Sequence, residues 1–479
     1  AATASAFHVG ADAEVVFTNG TLNAAGSGIS AENTGKVALE SGFALFAEKG
    51  GVVMGDAGGL FVRPGATPSV VAADGNALAI HNTLPDRTGV LIGGGSYVAT
   101  NGQALALSGA NPLRKILNGG IYNTTILPKE ICCDGYVPLC RAADVYEVVP
   151  EEEARAQAVV MDADSGLYFC SMRLAFDDAA DQATLLVITN FSETCLFGGA
   201  KTNTVDLGGW TWSGGMNGVN VYGSGARLTV TNGTLSGCVR ADSGLVVLDA
   251  ITTAANFMIY TRPNGTGKVE ILGGDYTAGL RASSDITGLT IFGGTFKFAD
   301  KGVDFAGGKL VDHLGEGLKF ATSPDGLTMT VVPADAIVCQ IDGTNPLAEF
   351  TSLTDAAAVV ADGQTITVVK DFSFFDTQVL TAAALKSYTV DFGGYTATST
   401  NKTASAYAVK VAGVAVTFTN GTLVATAGGS SYGIQVAGAA FTAANGFTAK
   451  AKLRTQSHTE TYYDAATRRN RTRTVTELV

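Results

Sequence analysis

Thr389-Val-Asp-Phe-Gly-Gly-Tyr395 and, shortly after it, Val416-Thr-Phe-Thr-Asn-Gly-Thr-Leu423 decide the fold, because both strings return. Thr204-Val-Asp-Leu-Gly-Gly-Trp210 repeats the first 185 residues earlier, and Thr-Asn-Gly-Thr-Leu stands at 18–22, 231–235 and 419–423, each time behind alternating apolar residues. Val-Val-Pro recurs at 148–150 and 331–333, which puts module junctions near 150 and 333. Within modules, Gly-Gly-x-aromatic strings at 94–97, 119–122, 273–276 and 293–296 follow short apolar runs, at spacings of 25 and 20 residues within the two pairs. Repeats of that length, built of short β-prone strands and Asn/Gly turns, suit one coil of a parallel β-solenoid. Alternating Val, Ile, Leu and Phe would stack inward from coil to coil, with Gly and Asn taking corners of positive φ.

Composition agrees. The 479 residues include 60 Gly, only 11 Pro and 46% hydrophobic residues with 15% charged, which excludes a disordered or collagen-like chain. The net charge of −12 argues against a nucleic-acid-binding face, so no nucleic acid is expected as partner. Residues 411–449 carry no charge, yet Gly, Asn, Thr and Ser interrupt them too often for a membrane span, and no membrane insertion is expected. The opening Ala-Ala-Thr-Ala-Ser-Ala-Phe suits a mature secreted chain. Seven Cys at 132, 133, 140, 170, 195, 238 and 339 form no CxxC pair; buried thiols are the simpler reading, and the first three leave room for one local disulfide.

The clearest helix signal precedes a first strand. Ser352-Leu-Thr-Asp355 reads as a capping box, followed by Ala-Ala-Ala-Val-Val-Ala and the stop Asp362-Gly363, and 174–180 is its counterpart in the middle module. Such a helix would cover the open end of a solenoid. With these elements in place, residues 350–372 (FTSLTDAAAVVADGQTITVVKDF), 388–400 (YTVDFGGYTATST) and 416–429 (VTFTNGTLVATAGG) resemble the opening of pectate-lyase-like right-handed β-helix repeats in bacterial and archaeal adhesin-like surface proteins. The resemblance covers most of 1–450 and implies an all-β fold of right-handed parallel β-helix modules in tandem with short capping helices. It implies an extracellular or cell-surface location. The final stretch lacks that family's wall-sorting or anchor pattern, which leaves the mode of attachment open.

Four segments follow: 1–150, a module lacking a capping helix; 151–333, a complete module; 334–453, a partial module with its helix; and 454–479, an Arg-rich arm or closing strands. A polysaccharide lyase would need clustered carboxylates with Arg or Lys nearby. Asp177, Asp178 and Asp181 are the densest group, but they fall in the helix region, where carboxylates serve backbone N–H groups. Asp162 and Asp164 suit a turn better than a calcium loop, and His8, His81, His313 and His458 are too scattered for a local metal motif. Asn264 to Lys268 fails the phosphate-loop pattern, Gly214 to Gly218 is weak in so Gly-rich a chain, and the sequons at Asn19, Asn232 and Asn420 read as turns. No catalytic residue, metal or cofactor is expected.

The first module has coils without a helix and the third has a helix without the Gly-Gly coils, so the two ends look complementary. The expectation is a non-enzymatic, structural or adhesive surface protein that associates with itself head to tail into homo-oligomers or filaments. Arg454, Arg468, Arg469, Arg471 and Arg473 of the terminal arm would bridge to an acidic neighbour. The alternative is a carbohydrate-binding adhesin or a phage tail-spike-like protein, with Trp210, Trp212 and Tyr222 as a platform for a surface glycan, although strand alternation would bury part of that set. A polysaccharide lyase stands third.

Overall fold

The computed structural model describes all residues except 1–4, 85–88, 112, 125–126, 216–217, 256, 263–264, 283–287, 303, 306–307, 382–385, 402–406, 427–431, 453–454, 465–468 and 479. For 282, 302, 304–305, 426, 432 and the described part of 451–478 it describes the backbone alone. The chain is a parallel β-solenoid of about 17 turns. It gathers into two compact units, 1–270 with 285–288, and 271–284 with 289–479.

The first unit begins with coils of three strands. Ser5–Val9, Glu14–Phe17 and Gly20–Ala24 form the first coil, and Ser27–Ala31, Lys36–Leu39 and Phe43–Ala47 lie parallel beneath them. Register stacks like on like: Leu22, Leu45, Val70, Tyr97 and Tyr122 occupy one inward column across five successive coils. That arrangement removes apolar surface from water along the whole axis, at about 25 cal/mol per Å².

The Gly-Gly-x-aromatic strings have a specific geometry. The second glycine always has positive φ: 95° at Gly95, 101° at Gly120, 121° at Gly274 and 108° at Gly294. The aromatic side chain then turns inward, and its hydroxyl donates to the first glycine's carbonyl: Tyr97 to Gly94 at 2.8 Å, Tyr122 to Gly119 at 3.0 Å, Tyr276 to Gly273 at 3.3 Å. Successive rings stack, with centroids 5.2 Å apart for Tyr97 and Tyr122 and 4.9 Å for Tyr276 and Phe296. A Cβ on Gly120 would lie 2.9 Å from the Tyr122 hydroxyl oxygen, so the position needs glycine for space as well as for φ.

Antiparallel hairpins interrupt the parallel runs. Tyr136–Ala142 and Val145–Pro150 form one, its second strand antiparallel to Leu117–Asn123. Leu318–Thr322 and Thr328–Pro333 repeat it in the second unit against Thr295–Lys297. Both end on the Val-Val-Pro string, as the sequence suggests. A second kind of hairpin, not foreseen from sequence, opens the next run: Val160–Asp162 with Tyr168–Phe169, and Cys339–Ile341 with Ala348–Phe350. Each lays its first strand antiparallel on the first coil strand, Thr184–Val187 or Thr365–Val368.

Three α-helices are present among the described residues. α1 (Glu151–Gln157) was not legible; it follows Pro150 without a side-chain cap, and Glu151, Glu152 and Glu153 in its first turn complement the helix dipole. α2 (Met172–Asp178) starts two residues before the expected 174, because Ser171 is its N-cap and accepts from the Leu174 N–H at 3.2 Å. α3 (Leu353–Val359) is capped as expected, Ser352 accepting from Asp355 N at 3.1 Å and donating to the Asp355 carboxylate at 2.8 Å. Thr455–Asp464 runs antiparallel to Arg469–Leu478.

Candidate functional site

The first described coil is paired on one side. Among the described residues, its three strands pair only with the coil beneath. Its inward residues Val15, Phe17 and Leu22 are therefore only half-buried, whereas Val37, Leu39 and Leu45 directly below are fully buried. Phe7 is 38% exposed and meets Phe17 edge-on at 5.1 Å. In the other two modules a coil covers the same place. Gly209 donates to the Asn232 carbonyl at 2.6 Å, and Gly394 to that of Asn420 at 2.5 Å, so each Gly-Gly corner caps the Thr-Asn-Gly-Thr-Leu corner of the next coil.

In the last described coil, the strands Tyr432–Ala437, Ala440–Ala443 and Phe447–Lys452 each lie parallel on a strand of the coil before. Both coils turn from second to third side at Asn-Gly, Asn19-Gly20 and Asn445-Gly446. Of the arm residues, Arg454 and Arg468 lie outside the described residues. Arg469, Arg471 and Arg473 take alternate positions of the last strand, in register with Asp464, Tyr462 and Glu460.

The three aromatic residues do not form one platform. Trp212 is 2% exposed, stacks on Phe191 at 5.2 Å and donates its indole N–H to the Glu193 carbonyl at 3.0 Å. It belongs to the core, because alternation turns it inward. Trp210 (41% exposed) sits at the Gly-Gly corner before Thr211–Ser213, and Tyr222 (48% exposed) follows Val219–Val221 in another sheet.

Tyr222 has other neighbours. Cys195–Phe197, Val219–Val221, Cys238–Ala241 and Phe257–Thr261 run parallel and in register, so Leu196, Asn220, Arg240 and Tyr260 form one outward column. Arg240 donates Nε–H to Asp242 at 2.7 Å and lies 4.6 Å over the Tyr260 ring, while Asn220 donates to the other Asp242 oxygen at 3.2 Å. The Asp242 bond, ahead of the burial that opposes it, raises the guanidinium's proton affinity. Sequence reading missed this ladder because its members are about twenty residues apart and no local motif joins them.

Asp162, Asp178, Asp181 and His8 have hydrogen-bond partners. Asp181 accepts from Thr202 N at 2.6 Å, and Asp178 accepts from Tyr146 at 3.1 Å, its carboxyl raised by burial. Asp162 accepts from Asp164 N and Ser165, the turn that was expected. His8 unexpectedly meets Ser30 at 3.0 Å and Glu32 at 3.2 Å. Nδ1 faces the serine, and His8 and Glu32 are 57% and 54% exposed, so the trio forms a solvent-exposed ladder across two coils. All seven Cys are free thiols, and burial pushes Cys132 and Cys140 up to about 12. Among the described residues, no group of three or more His, Cys, Asp or Glu side chains is arranged to hold a metal, and no helix is long and apolar enough to cross a membrane.

In comparisons with known proteins, no family model, no curated protein and no solved structure matches the chain.

Proposed function

We propose that the chain is a structural, adhesin-like solenoid of the cell surface that stacks head to tail with further copies of itself. The edge of the first described coil carries this reading: among the described residues its three strands pair on one side only, and with its half-buried core residues it offers a template for another strand layer. The occupant that fits is the last coil of a second copy, because it ends on the third side where the first coil begins on the first. Asn-Gly on Asn-Gly stacking also has a precedent inside the chain. Asn420 donates to the Asn445 carbonyl at 3.0 Å and Gly421 to that of Gly446 at 3.1 Å. A heterologous contact of this kind propagates without closing. The terminal hairpin, with Arg469, Arg471 and Arg473 on alternate positions, supplies the bridging arm in the same reading.

Electron microscopy and light scattering across a concentration series test it. The full chain is expected to give rods longer than one molecule, and Val15→Lys, which puts a charge on that edge, is expected to give single particles with an unchanged circular dichroism spectrum. Concentration-independent monomers of the unsubstituted chain would sink the proposal. Removing 454–479 addresses the arm separately: unchanged assembly discards the arm and leaves coil stacking standing.

A further inference from the structure

We propose that Ser30, His8 and Glu32 hydrolyse esters of short aliphatic acids, with Ser30 as the nucleophile. Ser5–Val9 and Ser27–Ala31 run parallel and pair His8 directly with Ser30. The imidazole therefore lies between two partners: its Nδ1 is 3.0 Å from Ser30 Oγ, and its Nε2 is 3.2 Å from Glu32 Oε1. The other Glu32 oxygen accepts from Ala11 N at 3.1 Å, which fixes the carboxylate. A carboxylate beside Nε2 keeps the proton on that nitrogen and leaves the Nδ1 lone pair facing the serine hydroxyl. Nucleophile, base and orienting carboxylate stand in hydrogen-bond sequence, the arrangement that activates a serine.

The column beneath the serine supplies a place for the acyl chain. Ser30 is in register with Val53, Val53 with Ala79 and Ala79 with Ala106, so three apolar residues continue the outward line that starts at His8. Val53 is 37% exposed, and Ala79 and Ala106 are half-buried. Across three strand spacings this track runs about 14 Å from the serine. In the reaction, Ser30 Oγ attacks the ester carbonyl carbon as its proton passes to His8 Nδ1. The bond from that carbon to the alcohol oxygen then breaks, and the alcohol leaves with the proton. Water next attacks the acyl carbon, its proton returns through Nδ1 to Ser30 Oγ, and the carboxylic acid departs. A second constellation on the same side serves as a control. His81 Nδ1 is 3.0 Å from Ser108 Oγ, but its Nε2 is 3.8 Å from Asp56 Oδ1, beyond a hydrogen bond, and both Asp56 oxygens accept from Thr83.

Hydrolysis of p-nitrophenyl butyrate by the full chain, and labelling with a fluorophosphonate followed by peptide mass spectrometry, test this. The label is expected on Ser30 in preference to Ser108, and Ser30→Ala should lower the hydrolysis rate about tenfold or more with the circular dichroism spectrum unchanged. Glu32→Gln should lower kcat and leave KM unchanged, because Glu32 positions the imidazole without touching the substrate. Val53→Ser should raise KM for the butyrate ester and leave KM for the acetate ester as it was. Hydrolysis no faster than in buffer, no label on Ser30, or a Ser30→Ala rate equal to that of the unsubstituted chain would each overturn the proposal, the last by assigning turnover to imidazole alone. None of these results depends on whether the chain self-assembles.

Discussion

The second and third modules open on the same skeleton and fasten it differently. In both, a Ser caps the helix (Ser171, Ser352), a residue of positive φ follows an Asp that accepts the next coil's N–H (Asp181-Gln182, Asp362-Gly363), and a Lys reaches the helix C-terminus (Lys201, Lys386). Even the Gly-Gly corners agree, with φ of 55° and 88° at Gly208 and Gly209 against 57° and 87° at Gly393 and Gly394. The position three residues before the cap differs. Tyr168 donates to Glu151 at 3.1 Å, with Arg155 5.7 Å from its ring; Glu349 instead lies between Lys301 at 3.1 Å and Lys319 at 2.7 Å. Backbone geometry repeats because the coil demands it, whereas the hairpin junction needs only to have its polar groups satisfied.

The ionic junction is the place to break this comparison with the largest effect. The Lys301 and Glu349 side chains are 6% and 12% exposed, so Glu349→Ala leaves a buried ammonium unpaired and should cost the second unit about 3–5 kcal/mol, read as a lowered denaturation midpoint. Burial alone would raise the Glu349 carboxyl, yet Lys319 and Lys301 hold it below the usual range. A carboxylate with a depressed folded pKa stabilises above its unfolded pKa, and that stability is lost as pH falls through the folded value. The second unit should therefore weaken below about pH 4. Glu349→Gln should remove this dependence. An unchanged pH profile in Glu349→Gln would show that the triad is not what responds to acid.

Corner glycines test whether the shared skeleton is as strict as it looks. A Cβ on Gly233 would lie 2.6 Å from the Trp210 carbonyl oxygen and press on Leu207; on Gly421 it would lie 2.6 Å from that of Tyr395 and press on Phe392. Gly233→Ala and Gly421→Ala should each cost about 1–3 kcal/mol by overpacking, and by similar amounts. Unequal losses in urea titrations would mean that one module relaxes where the other cannot.

What was legible follows from where information is local. The long period, the aromatic coils, the Ser352 cap and the Val-Val-Pro hairpins are consecutive strings, and backbone chemistry acts on consecutive residues. α1 was hidden because its start lacks a capping side chain, and α2 was placed late because Ser171 lies before the window that held the apolar residues. The Asn220, Arg240 and Tyr260 ladder and the Glu349 junction were hidden for another reason: their members meet only through coil register, which a single sequence does not print. Tyr222 is legible in the sequence as an aromatic platform residue, but its neighbours along the chain are not its neighbours across the coils.

The aromatic columns give a smaller test. Phe296 already fills the aromatic place without a hydroxyl, so the hydroxyl bond is an addition to stacking. Tyr97→Phe, which loses a 2.8 Å buried bond, should cost about 1 kcal/mol; Tyr276→Phe, losing a 3.3 Å bond, should cost less. Equal losses in denaturant titrations would point to ring packing as the common cause.

The helix-terminal lysines should show the smallest difference, and the most local one. Lys201 donates to three carbonyls at the end of α2, Phe176 at 3.1 Å, Asp177 at 3.0 Å and Ala179 at 2.9 Å, whereas among the described residues Lys386 donates to Val360 alone at 3.0 Å. A cation at a helix C-terminus satisfies orphan carbonyls and opposes the dipole, for about 0.3–1 kcal/mol. Lys201→Met should therefore sit at the upper end of that range and Lys386→Met at the lower, with faster amide exchange confined to the last turn of the helix concerned. If the two substitutions loosen their helices equally, the number of carbonyls reached does not matter, and it is the charge alone that holds each helix against the coil.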